Sequence, residues 1–281
     1  MNLLRLSPII KSYLSANWIG FSIVSSLLFL VFICGYINYK NKKRVEIDIQ
    51  TNKKINNEKS FKIIGISDLH LGYGISKAEF SDWINLINAE NPDFVLIAGD
   101  AIDNSTKPIF EQNYAELFHR INTKYGIYAV IGNHEYISGL NKCKKFYEDA
   151  NINLLIDSVI NINDDITIIG RDDKTNKNRK TLSELCKAID TSKFTILLDH
   201  QPLKLNETAK NNIDFQFSGH THDGQLIPIN WITYLMYENS HGLLKKGDSQ
   251  IYVSSGIGIW GGKFRIGTNS EYIVINITSN K

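Results

Sequence analysis

Five polar clusters carry residue types that hold metal ions, and each directly follows an apolar run. Asp68-Leu69-His70 follows FKIIGIS, Gly99-Asp100 follows DFVLIA, and Gly132-Asn133-His134-Glu135 follows GIYAVI. His200 follows FTILLD, and Gly219-His220-Thr221-His222 follows DFQFS. Carboxylate, imidazole and amide oxygen together, with no thiolate, suit Mn²⁺, Fe²⁺ or Zn²⁺. The candidate ligands Asp68, His70, Asp100, Asn133, His200, His220 and His222 are more than one ion needs. They suffice for two divalent ions about 3.5–4 Å apart, with Asp100 shared between them. The glycines before Asp100, Asn133 and His220 would let the backbone turn sharply off each strand.

The elements that must position these clusters read as α/β. Strand patterns at 61–66, 94–98 and 127–131 alternate with helical patterns at 76–89, 110–122 and 140–149. The second half is richer in strands, at 153–155, 166–170, 194–198, 215–218, 251–254 and 272–277, with one helix at 181–189. In such folds the carboxyl ends of the strands line the ligand crevice, so the five clusters are expected to converge. The chain of 281 residues is 43% hydrophobic and 21% charged, which excludes a disordered chain, a collagen and a disulfide-stapled scaffold. Cys34, Cys143 and Cys186 are odd in number and lack a CxxC spacing, so neither a disulfide framework nor a zinc knuckle is expected.

No charged residue occurs from 12 to 39, and 18–37 reads WIGFSIVSSLLFLVFICGYI. About 20 helical residues cover a hydrocarbon core of about 30 Å, and Trp18, Tyr36 and Tyr39 fall where an interfacial aromatic belt would lie. The reading is a single-pass anchor within 1–44, a linker and incoming strand over 45–60, and one domain over 61–281. Lys40, Lys42, Lys43 and Arg44 after the span outweigh Arg5 and Lys11 before it, so the positive-inside rule puts the domain on the cytoplasmic side of the cell membrane. Residues 1–44 hold all of the positive excess and no acid, leaving a balance of −4 over the rest. That sign speaks against a nucleic-acid partner bound through a general basic face, and no obligate protein partner is implied.

Taken in order, the clusters resemble the calcineurin-like metallophosphoesterase superfamily, whose pattern is D-x-H, G-D-x-x-D, G-N-H-[ED], H and G-H-x-H. The resemblance runs from about 61 to 277. HQP at 200–202, SGHTHDGQ at 218–225 and the tail SSGIGIWGG resemble its membrane-anchored bacterial branch. The resemblance implies a two-sheet sandwich flanked by helices, with a dinuclear metal centre at one edge. By it, Asp68, His70 and His222 would hold the first ion, Asn133, His200 and His220 the second, and Asp100 would bridge them. A bridging water would then ionise near neutral pH and attack phosphorus in line while the cations clamp the phosphoryl oxygens. His134 resembles the family's non-ligand histidine at the leaving oxygen, and Asp103 the aspartate that orients it. Asn104 stands where the superfamily's protein serine/threonine phosphatases carry arginine, which turns the expectation away from phosphoproteins.

The expected activity is that of a dinuclear-metal phosphohydrolase cleaving a phosphoester or pyrophosphate. Its substrate would be a phosphorylated small molecule or a lipid-linked one; the nearest analogy within the resemblance is the nucleotide-diacylglucosamine pyrophosphatases. The alternatives are a phosphodiesterase acting on soluble nucleotides and a non-catalytic metal-binding scaffold. Outside the motifs, Arg171 with Asp172 and Asp173 reads as a solvated turn, His119 as structural or exposed, and Asp223 as facing solvent. His241 reads as a candidate substrate contact. The apolar stretch 227–244 reads as core, with a sharper alternative: a rim that rests on the bilayer or cradles an acyl chain.

Overall fold

Both faces of the apolar runs are covered, which is why they read as continuous hydrophobic stretches rather than alternating ones. In the computed structural model, which describes residues 18–53, 55, 60–187 and 189–280, the strand Phe94–Ala98 is buried at all five positions. Phe94, Leu96 and Ala98 face the layer between two sheets, while Val95 and Ile97 lie under helices on the other side.

The described strands in chain order are β1 (Lys43–Thr51), β2 (Ser60–Ile66), β3 (Phe94–Ala98), β4 (Ile127–Val130), β5 (Asn153–Leu154) and β6 (Ser158–Ile162). They continue as β7 (Ile166–Gly170), β8 (Phe194–Leu198), β9 (Phe215–Ser218), β10 (Gly242–Lys246), β11 (Ser249–Val253) and β12 (Glu271–Ser279). One six-stranded sheet has the order β1-β12-β2-β3-β4-β5 and the other β10-β11-β9-β8-β7-β6. Both are mixed: β2, β3, β4 and β5 run parallel, as do β7, β8, β9 and β11, while β12 meets β2 and β6 meets β7 antiparallel. Helices cover the outer faces, Lys77–Ala89 and Leu140–Asp149 on one side and Leu182–Cys186 on the other. The expected α/β sandwich of two sheets is the observed fold.

Parallel strands put β2, β3 and β4 ends on one edge, and β8 and β9 end beside them. Their pairing registers bring Ile66 level with Ile97, and Ala98 level with Val130. The five polar clusters therefore leave the two sheets at a common rim.

The N-terminal helix Trp18–Lys40 has mostly exposed apolar side chains, with only Gly35 and Tyr39 buried. Its last turns are built into the body. Asn38 Nδ2 donates to Arg265 O (3.1 Å) and Thr268 O (2.6 Å), the Arg265 N–H donates to Gly35 O (2.9 Å), and Tyr39 Oη donates to Glu79 (2.5 Å). Phe32 packs edge-on against Phe264, their rings 5.1 Å apart. The first strand starts at Lys43, two residues after the helix ends its hydrogen bonding at Asn41, and pairs along its whole length with β12. Arg5 and Lys11, which entered the charge comparison, lie outside the described residues.

Three expectations need correction. The helix expected at 110–122 is two short ones, Lys107–Glu111 and Ala115–Phe118, because Asn113 adopts a left-handed φ of 52° that ends the first. A short helix, Asn133–Ser138, begins inside a polar cluster where none was expected. The stretch 227–244 is not core: the helix Ile229–Met236 has no buried residue.

Candidate metal centre

Local backbone at the rim is unusual. Asp68, His70, Asp100, His220 and His222 all have φ between 46° and 73°, a left-handed region that costs a side-chain-bearing residue about 1 kcal/mol or more. Backbone bonds hold the strained loops together: the Asp68 N–H donates to Gly99 O (3.1 Å) and the His70 N–H to Asp100 O (3.0 Å). At Gly132 and Gly219 the requirement is close approach rather than a turn. A Cβ on Gly132 would lie 2.1 Å from Asp100 Oδ1, and one on Gly219 would lie 2.3 Å from Asp68 Oδ2. Any other residue there would push a carboxylate off its place.

The seven expected ligands converge in two adjoining groups. His70 Nε2 lies 3.0 Å from His222 Nε2, which is 3.4 Å from Asp68 Oδ1. His200 Nε2 lies 3.1 Å from Asp100 Oδ2, 3.3 Å from Asn133 Oδ1 and 3.2 Å from His220 Nδ1. His70, Asp100 and His134 also offer ligand atoms within 4.8 Å of one another, so Asp100 stands between the groups.

The chemistry of this donor set fits a cation. His200 Nδ1 donates to Ala98 O (2.8 Å), which turns Nε2 toward the site. Nε2 faces a carboxylate oxygen, an amide oxygen and a second imidazole nitrogen. Burial disfavours the charged His200 ring, but Asp100 overrides it and raises its pKa well above the ordinary imidazole value. Without a cation a proton therefore sits at Nε2 among these acceptors; a divalent ion takes that proton's place and coordinates them. Burial, then the neighbouring His200, pushes His220 down to about 4, and burial, then His70, holds His222 well below the ordinary imidazole value. Both rings are thus neutral, the form that ligates. Asp68 is raised by burial. Burial acts the same way on Asp100, but His200 overrides it and keeps that carboxyl below the ordinary range.

Asp103 stands beside the group. Its Oδ1 is 3.3 Å from His134 Nδ1 and 3.4 Å from His70 Nδ1. Burial disfavours the charged His134 ring, yet the bond to Asp103 and the charge of Asp100 overcome it and raise its pKa. The His134 N–H donates to Asp100 Oδ1 (2.9 Å), tying the histidine's backbone to the shared carboxylate.

The positioning roles of two buried residues, Glu135 and Arg265, had no signature in the sequence, although Glu135 itself closes the Gly132-Asn133-His134-Glu135 cluster. Glu135 is fully buried and accepts from the N–H groups of Asp100 (3.1 Å), Ile102 (3.1 Å) and Gly132 (2.7 Å) and from Tyr147 Oη (3.0 Å). It cross-links the Asp100 and Asn133 loops. Its place at the third position of a helix that opens with glycine is the one hint a sequence offers. Arg265, 1% exposed, donates to the carbonyls of His222 (2.6 Å) and Gly258 (3.1 Å). It joins the His222 loop to the glycine-rich tail, and no pattern in the chain singles it out. Removing Glu135 leaves three buried N–H groups unpaired, so Glu135→Ala is expected to cost about 3 kcal/mol and to lower Tm by roughly 6–12 °C. Thermal unfolding followed by circular dichroism checks this, and an unchanged Tm would remove Glu135 from the framework.

Outside the motifs, Arg171 and Asp223 differ from their sequence reading, while His119 agrees with it. Arg171 is buried, not in a solvated turn: it and Arg179 both bond Asp199, at 2.9 and 3.1 Å, immediately before His200. Asp173 accepts from Gln201 Nε2 at 2.9 Å, steadying the other side of the same histidine. His241 Nε2 is 3.1 Å from Glu271 Oε1, and its Nδ1 is 3.8 Å from Asp223, which is only half-exposed. His119 lies at the surface beside Asp149 O.

A model of the calcineurin-like phosphoesterase family matches residues 61–224. The chain is 31% identical over 268 residues to an uncharacterised metallophosphoesterase of Campylobacter jejuni, an overlap of 92% of this chain and 70% of that one. It is 29% identical over 231 residues to a transmembrane protein with metallophosphoesterase domain of Bos taurus, covering 75% of this chain and about half, 52%, of the relative. Among solved structures it is similar to the NAD nucleotidase of Haemophilus influenzae, with 18% identity and a TM-score of 0.48 over 71% of this chain and 45% of that one.

Proposed function

Because the chain belongs to the calcineurin-like phosphoesterase family of metal-dependent phosphoesterases, we propose that it is a membrane-anchored phosphohydrolase with two divalent cations, Mn²⁺, Fe²⁺ or Zn²⁺. Its substrate is a phosphoester or pyrophosphate, and the favoured class is lipid-linked. The observation that carries the reading is the ring of acceptor atoms around His200 Nε2, all within 3.3 Å of it.

Asp68, His70 and His222 would hold one cation and Asn133, His200 and His220 the other, with Asp100 standing between the two groups of residues. When bound, the pair supplies a water acidic enough to ionise near neutral pH and neutralises charge on the phosphoryl oxygens. The chain's own residues do the rest. His134, its pKa raised by Asp103 and Asp100, keeps a proton to give to the leaving oxygen. Asp103 orients that ring, and Asp199 and Asp173 brace the loop that carries His200.

The helix Trp18–Lys40 is long and apolar enough to cross a membrane, and we read it as the anchor within 1–44. The catalytic body is 61–281, on the cytoplasmic side by the cluster Lys40, Lys42, Lys43 and Arg44; 45–60 links the two and supplies most of β1. A tethered enzyme gains effective concentration mainly for substrates in its own membrane, which supports the lipid-linked class.

The test is hydrolysis of bis-(p-nitrophenyl) phosphate by the full chain in detergent, after chelator stripping and after adding back each ion. Turnover that vanishes on stripping and returns with one of the ions is expected. Metal uptake with no turnover under any ion would overturn the reading in favour of a metal-binding scaffold.

A further inference from the structure

The helix Ile229–Met236 is built inside out. Its polar residues Asn230 and Thr233 are the partly buried ones, and the Asn230 backbone lies against Gly224. Trp231, Tyr234, Leu235 and Met236 point out, 63%, 75%, 84% and 70% exposed. A helix in water hides the opposite face, and an exposed apolar patch of this kind marks an interaction surface.

The patch is continuous with the anchor. Just before the helix, the Ile227 N–H donates to Ile266 O (2.9 Å), and the Ile227 side chain fills the space where a Cβ on Gly267 would stand. Ile266 in turn lies against Gly35 of the N-terminal helix, next to the Phe32–Phe264 contact. Leu27, Leu30 and Val31 line one shallow apolar groove with Ile266 and Gly267. Gly35 is five residues before the end of the helix at Lys40, about 8 Å deeper along its axis. That is the depth of about 5–10 Å at which interfacial helices bury their apolar face.

We propose that the helix Ile229–Met236 is a second membrane contact, lying in the interface of the leaflet through which Trp18–Lys40 enters. The proposal rests on reading Trp18–Lys40 as a membrane span. Its occupant is the bilayer itself, because the segment that borders the helix already packs against the spanning one. The helix also borders the metal centre. Gly224 closes the turn that carries His222, the rings of His220 and Tyr237 are 6.2 Å apart, and Thr221 Oγ1 donates to Ser240 O (2.5 Å). The centre therefore opens beside the lipid surface, where the phosphate of an amphiphilic ester lies.

The experiment places the full chain in nanodiscs and compares it with Trp231→Phe, in ordinary and in brominated phosphatidylcholine. Trp231 is exposed, so the variant keeps the fold. The emission lost in the variant, which is the contribution of Trp231, should be blue-shifted and should lose most of its intensity with brominated lipid. Unquenched Trp231 emission would overturn the proposal, red-shifted if water covers the helix and blue-shifted if a second copy of the chain does. Failure of the chain to enter discs would overturn both the span and the contact. Hydrolysis of bis-(p-nitrophenyl) phosphate in the same discs reads the phosphohydrolase assignment separately, since quenching without turnover leaves the contact standing and the enzyme reading refuted.

Discussion

Asp100→Asn is expected to leave a folded protein that has lost its metal and at least about 10³-fold of its turnover, the scale of several kcal/mol of charge stabilisation. The substitution is nearly isosteric. Its remaining amide oxygen can still accept from the His134 N–H, which Asp100 Oδ1 now does at 2.9 Å. What disappears is the negative charge and the second acceptor, Oδ2, that faces His200 at 3.1 Å. A neutral amide standing between the two ligand groups cannot offset the charge of two divalent ions. Metal content by elemental analysis and turnover should fall together. A variant that keeps both would sink the shared-ligand role.

His134→Ala should separate what Asp100→Asn joins. The ring is placed to move a proton and is not counted among the seven ligands, so metal content should stay at the wild-type level while turnover drops by about 10²–10⁴-fold. The loss should grow with the basicity of the leaving group. An alkyl phosphoester needs protonation at its leaving oxygen and should suffer most, whereas a p-nitrophenyl ester leaves as a stable anion and should suffer least. Asp103→Asn should give the same leaving-group trend at a smaller amplitude, about 10–100-fold, because it acts through the orientation of the histidine. Equal losses for both esters would mean that His134 serves binding or structure and donates no proton.

The convergence of the polar clusters was legible in the sequence for a definite reason. A strand covered on both faces is uniformly apolar, so a polar cluster at its end stands out, and β3, β7, β8 and β9 lie where the apolar runs place them. Parallel pairing then brings those ends to one rim without further information. The helix Asn133–Ser138 stayed hidden because its first residues are the polar cluster itself. Arg171 reads as a solvated turn because charge in a sequence normally means exposure, and its partner Asp199 is 28 positions away. Glu135 and Arg265 are single buried charges whose partners are mostly backbone groups, which a sequence does not distinguish. The stretch 227–244 reads as core because hydrophobicity reports avoidance of water and says nothing of what replaces it.

The pairing of β1 with β12 sets the order of events when the chain is made. Asp48 and Asn276 touch although 228 positions separate them, and β12 lies between β1 and β2, so until β12 exists β1 has no partner and β2 has only β3. At ribosomal speeds of about 5–20 residues per second, that interval is roughly 10–50 s. During it β1 and one side of β2 expose unpaired edges, the condition under which strands pair with the wrong partner. Trimming Glu271–Ser279 would therefore undo far more than a terminus. It would remove the strand that joins β1 to β2, leaving β1 unpaired and β2, which leads into Asp68 and His70, with an open edge.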